Sequence, residues 1–202
     1  MMKRLLTTAA SLCLLLAGFS GEGAANTRDM TSGHLCLAEA MKWEKKLDTP
    51  DGLVRAMALA ETGRWDALDG RSIPWPWTVN NGGAGTFYAT KKEAIKAVRA
   101  LQRQGETNID VGCMQVNLGW HGDNFRSLEE AFEPDINMVV AASILQRQFR
   151  AHRDWEVAAG NYHSATLHFH QRYRKKVKAL LASLDQRAPL TLAPDLHAAL
   201  QD

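Results

Sequence analysis

Glu61 is the residue whose place in the sequence asks for chemistry. Val54, Met57, Ala58 and Glu61 recur at i, i+3, i+4 and i+7 within the run Gly52 to Arg64, so a carboxylate continues the apolar stripe of an amphipathic helix. Gly63 is a natural helix stop, which puts Glu61 near the negative end of the helix dipole. Burial and the dipole both disfavour the ionised form. A glutamic acid that keeps its proton near neutral pH is what a general acid needs. The competing reading is a helix-end glutamate that turns to water or pairs with Arg55 or Arg64.

Other reactive residues offer less. His163, His168 and His170 crowd one stretch, but the spacing matches no H-E-x-x-H pairing and no cysteine or carboxylate adjoins them. They read as exposed or singly hydrogen-bonded histidines, and no catalytic metal or cofactor is expected. Cys36 and Cys113 form an even pair once an export signal takes Cys13 away. In an exported chain such a pair is most simply a disulfide, the alternative being two buried free thiols. A Cys113–His nucleophile is disfavoured for the same reason. There is no Walker loop, dinucleotide fingerprint, serine elbow or internal repeat.

The export signal is read over 1–25: Lys3 and Arg4 precede the apolar run Leu5 to Phe19, and Gly23-Ala24-Ala25 offers small residues for cleavage. The run is interrupted by Thr7, Thr8 and Ser11, too short and broken for a comfortable membrane span, although an uncleaved anchor is the alternative. Leu12 before Cys13 argues against lipidation. A periplasmic or secreted protein without stable membrane insertion follows. The chain of 202 residues carries a formal charge of +2, of which Lys3, Arg4 and Glu22 together hold +1. What remains is no nucleic-acid footprint.

The elements that must position Glu61 follow in order. A flexible polar lead-in covers 26–33, and His34 to Lys46 reads as a helix with Leu35, Leu37, Ala38 and Met41 on one face. Thr49-Pro50-Asp51 breaks the chain, with Thr49 or Asp51 as the cap of the Glu61 helix. Arg64 to Gly85 is read as irregular, because prolines in Pro74-Trp75-Pro76-Trp77 forbid a helix. Its tryptophans, Trp75 and Trp77 above all, either stack on a ligand or fold back as a lid on the core. Gly85 to Ala89 is a short strand, Thr90 to Glu93 a capping box that opens a helix, and Asn108 to Asn117 a strand and turn with Gln115 as its polar oddity. Helices follow over Ile136 to Ala151 (with Val139 inward), Trp155 to Tyr162 and Gln171 to Leu184, the last with a basic solvated face. The domain thus spans 34–184 and is mainly α (α+β), with a flexible tail over 185–202.

Four stretches in order, Ala58 to Arg64, Trp75 to Asn80, Ile109 to Asn117 and Tyr162 to Thr166, make the chain from about Cys36 to Val177 resemble the SLT-type lytic transglycosylases, in the subgroup with a Trp-Pro-Trp-Thr loop. The resemblance implies a lysozyme-like fold with a small hairpin beside the catalytic helix. It implies Glu61 as the sole catalytic carboxyl, Thr62 as its support, Met114 and Gln115 as groove lining, and Tyr162 within reach of Glu61. Peptidoglycan glycan strands are the implied substrate, cleaved without water to 1,6-anhydro ends. A muramidase using Asp110 or Asp66 as second carboxylate is the runner-up, and an idle peptidoglycan-binding module is the other alternative. General wall turnover and gap opening for a secretion, pilus or flagellar apparatus stay equally open. Cys113 stands where relatives carry leucine, His163 where they carry asparagine, and Leu167 to His170 lacks their proline and glycine.

Overall fold

The computed structural model describes residues 22–67 and 69–185. Most of the expected export signal, 1–21, and the tail from 186 lie outside them. The chain is mainly α with a small antiparallel sheet.

The first helix, α1, runs Glu22–Leu47 without a break, so the stretch 26–33 expected as a flexible lead-in is helical. It contains no proline, and a helix already formed further along extends into it without a second nucleation cost. Gly33 marks where α1 crosses its neighbour: a Cβ there would lie 2.5 Å from Ile73 Cδ1. Cys36, Leu37 and Ala40 face the core, whereas Leu35 is exposed. A turn through Asp48, in the left-handed region at φ 54, leads into α2, Leu53–Thr62.

Neither Thr49 nor Asp51 caps α2. Its N-cap is Gly52, with φ 81 and no side-chain cap, and the carboxylate of Glu44 reaches over from α1 to accept the Arg55 N–H at 2.8 Å and Arg55 Nε at 2.9 Å. The orphan donor is satisfied from the preceding helix. The stripe itself behaves as its periodicity requires, with Val54, Met57 and Ala58 buried.

The region expected to be irregular holds strands. β1 (Gly63–Asp66) and β2 (Arg71–Pro74) form a hairpin with Gly63 opposite Pro74 and Asp66 opposite Arg71. β3 (Thr78–Asn80) pairs with β4 (Thr86–Phe87) on one side and with β5 (Asp110–Val111) on the other, and β6 (Val116–Asn117) completes the order β4-β3-β5-β6. Segments of two to four residues carry no readable period-two signal. Between β4 and β5 lies α3, Lys91–Arg103, opened by the expected Thr90–Glu93 capping box.

After β6 come a short α4 (Leu118–His121), a single 3-10 turn and α5 (Leu128–Ala131). Three longer helices close the fold: α6 (Pro134–His152), α7 (Trp155–His163) and α8 (Leu167–Asp185). The core that all these elements share is built on Met57, Val98, Phe132, Met138 and Leu145. Val139 is exposed, on the outer side of α6. Cys36 of α1 is bonded to Cys113 in the β5–β6 turn, 77 residues on. Among the described residues no helix is long and apolar enough to cross a membrane.

Candidate active site

Glu61 sits in the last turn of α2, one position before its end. The helix ends there because the chain turns directly into β1: the Gly63 N–H bonds back to Leu59 O with an extended backbone at φ −59, ψ 114. Glycine is needed at 63 for room and not for a left-handed turn, since a Cβ would fall 2.5 Å from Leu59 O. The Glu61 side chain is half-buried, and its Oε1 is sealed from solvent without a hydrogen-bond partner. Desolvation is the main cause that lifts its pKa to about 7; the Tyr173 hydroxyl and the Lys176 ammonium oppose it, and the charge of Asp110 adds to it. Tyr173 lies beside the carboxyl, yet its hydroxyl also lacks a partner of hydrogen-bonding geometry. Lys176 is occupied in part by Ala60 O at the helix end.

The floor under Glu61 is the turn between β5 and β6. Gly112 and Gln115 both take positive φ, 80 and 47, a conformation that costs a glutamine energy unless the surroundings hold it. Asn137 of α6 holds it. This fully buried amide accepts the Met114 N–H at 3.0 Å and donates to Val111 O and Ala131 O, each at 3.0 Å. A Cβ on Gly112 would lie 2.3 Å from Asn137 Nδ2. Gln115 Nε2 donates to Thr78 O and Gly112 O, both at 3.2 Å, tying the turn to β3. Thr62, buried behind Glu61, places its hydroxyl 2.9 Å from Cys113 O and 3.2 Å from Ala58 O. It joins the end of α2 to the same turn.

A cavity of about 350 Å³ opens above this floor, lined by Glu61, Gln115 and Tyr162 together with Asp110 and the amides of Asn80, Asn108 and Asn117. Glu61, Gln115 and Tyr162 thus line one cavity. Tyr162 does not bond to Glu61; its hydroxyl donates to Met114 O at 2.8 Å. Met114, expected to line the groove, is buried and contributes only its backbone. Trp75 takes the core role: it is buried, its Nε1 donates to Tyr88 O at 2.7 Å, and the Arg64 guanidinium lies 3.7 Å from its ring centroid. Trp77 packs half-buried against the core, and neither tryptophan lines the cavity. A Pro-flanked aromatic reads alike in sequence whether it faces in or out.

Several residues of the site have no sequence signal. Tyr173 and Lys176 belong to a helix that reads as a solvated basic face, and only the landing of α8 on α2 brings them to Glu61. Asn117 donates to Asp110 Oδ1 at 2.7 Å and to Asn108 Oδ1 at 2.8 Å. Burial raises the Asp110 pKa, and the Asn117 amide opposes that rise. Asp66, the other candidate second carboxylate, is buried in β1, accepts the Asp69 N–H at 3.0 Å, and does not reach the cavity.

The histidines separate. His163 lines the cavity and stacks on Tyr173 with centroids 4.6 Å apart. His170 is buried against Asn161 Oδ1 at 2.9 Å, and His168 meets Phe169 edge-on. Among the described residues no three His, Cys, Asp or Glu side chains converge as a metal site would need. What the arrangement can do is hold one protonated carboxyl at the wall of a polar cavity, with a second carboxyl in the same cavity. Comparison of this chain with protein-family models, with curated proteins and with solved structures found no match.

Proposed function

We propose that this protein is a peptidoglycan lytic transglycosylase of lysozyme-like fold, acting in the periplasm or outside the cell. The observation that carries the reading is Glu61 Oε1, buried and unpartnered beside a polar cavity. Glu61 starts protonated and gives its proton to the glycosidic oxygen between N-acetylmuramic acid and N-acetylglucosamine as the C1–O4 bond breaks. The carboxylate left behind takes the proton of the muramoyl 6-hydroxyl, whose oxygen closes onto C1. One bond breaks, one forms, and no water is consumed. Gln115 and the cavity amides would orient the glycan, while Thr62 and Asn137 keep the acid and the floor in register. The disulfide fits an oxidising compartment.

Asp110 favours a second reading, hydrolytic cleavage in which this carboxylate activates water or stabilises the cation. It lies in the cavity with Glu61 and is held by Asn117. Digestion of purified peptidoglycan by the wild type, Glu61→Gln and Asp110→Asn, followed by mass spectrometry of the muropeptides, separates the two. Transglycosylation gives anhydro ends lighter by one water, and activity that survives in Asp110→Asn. Reducing, hydrated ends would overturn the first reading, and full activity in Glu61→Gln would overturn both.

A further inference from the structure

Trp120 is 85% exposed, more so than any other large apolar side chain among the described residues, and it lines the Glu61 cavity. A lone exposed tryptophan is ordinary. This one is held on a rigid mount. Its backbone N–H donates to Asn117 Oδ1 at 3.1 Å, and Gly119 beside it lies so close to the preceding chain that a Cβ would meet Thr107 O at 2.7 Å. The same Asn117 donates through Nδ2 to Asp110 and Asn108. The backbone under the indole is therefore locked to the carboxyl and amide that line the cavity.

A bare indole on this held backbone, lining the same cavity as Asn80, Asn108 and Asp110, has the two faces of a pyranose as its complement. The C–H face of an equatorially linked sugar packs on the ring, while hydroxyl and acetamido groups meet amides and carboxylate. We propose that Trp120 is the stacking platform for one N-acetylated hexose of the bound glycan, in the place that Trp75 and Trp77 do not fill. The inference rests on the glycan reading of the site. Pre-setting the backbone means that little ordering is needed on binding, so the ring's loss should fall on affinity.

The test uses the full chain with Glu61→Gln, so that nothing is turned over, titrated calorimetrically with the β-1,4-linked tetramer of N-acetylglucosamine. Adding Trp120→Ala should weaken binding about tenfold or more, Trp120→Phe should recover most of it, and Trp65→Ala should change nothing. Trp65 is the control because it is 65% exposed but lies outside the cavity. Melting of all four proteins should coincide, which distinguishes stacking from a structural role. Equal affinity in Trp120→Ala and its parent would overturn Trp120 alone. No binding by the parent would overturn the glycan reading and Trp120 with it.

Discussion

The proton on Glu61 stays because little is offered in exchange for it. Desolvation outweighs the Tyr173 hydroxyl and the Lys176 ammonium, so the pKa stands at about 7 where 4.5 is ordinary. Only the protonated form can protonate a leaving oxygen, so kcat/KM should fall as pH rises through about 7. Asp110→Asn removes a charge that raises this pKa but leaves the burial, so the falling limb should move modestly to lower pH. A limb that stayed in place would show that Asp110 is screened from Glu61. The same shift has a stability consequence of definite sign. Below 4.5 folded and unfolded chains both hold the proton; between 4.5 and about 7 only the folded chain does, and above that the folded state carries a buried charge. The contribution to stability is thus complete in acid and lost on the way to pH 7. Glu61→Gln should be more stable than the wild type at about pH 8 by about 1–3 kcal/mol, less than full burial would give because part of the side chain meets solvent, and equal to it near pH 4. Urea unfolding of the two proteins at both pH values checks this, and a gap independent of pH would mean that Glu61 is not the buried acid.

At the scale of elements, the β5–β6 turn draws its shape from outside itself: Asn137 of α6 bonds the backbone at Met114 and Val111, and Thr78 of β3 accepts from Gly112 and Gln115. Asn137→Ala removes the whole amide without overfilling the site and leaves the Met114 N–H, Val111 O and Ala131 O without that partner. The expected loss is about 2–4 kcal/mol in urea unfolding, with activity falling as Gln115 loses its register. A loss below about 1 kcal/mol would mean that the turn holds itself. The same turn separates what is legible in the sequence from what is not. Thr90–Glu93 and the Val54–Met57–Ala58 stripe are readable because each signal lies within one helix and repeats at its period. Glu61 stands out as the exception on that stripe. Asn137 does not stand out, since one amide among the apolar residues of α6 looks no different from a helix-edge polar residue until the turn it serves arrives from elsewhere in the chain. The cap of α2 escapes for a like reason, Glu44 belonging to the previous helix. Tyr173 and Lys176 are hidden by distance: they lie more than a hundred positions from Glu61 in the chain. The hairpin of β1 and β2 is too short to show an alternation.

For the whole molecule, the Glu61 helix and its floor are held in one frame by ties that meet at the β5–β6 turn, among them Thr62 from α2, Asn137 from α6 and the disulfide from α1. The first two are hydrogen bonds to backbone atoms and survive loss of the third. Cys36 and Cys113 are both wholly buried, so Cys36→Ala with Cys113→Ala exchanges a bridge for two small apolar side chains and leaves no buried thiol. A bridge that spans 77 positions restricts the unfolded chain by an amount that chain entropy puts at about 4.5 kcal/mol, and removal of native bridges typically costs about 2–5 kcal/mol. At about 2–4 °C per kcal/mol for a chain of this size, the double variant should melt roughly 5–15 °C lower. Its turnover well below that transition should change less than about tenfold, because the ties that set Glu61 over Gln115 persist. Burial adds a kinetic signature. A reductant cannot reach the bridge in the folded state, so dithiothreitol should leave the native protein active and oxidised until the temperature approaches unfolding. Two titratable thiols in the native protein, or a melting shift below about 2 °C in the double variant, would show that the frame does not depend on the bridge.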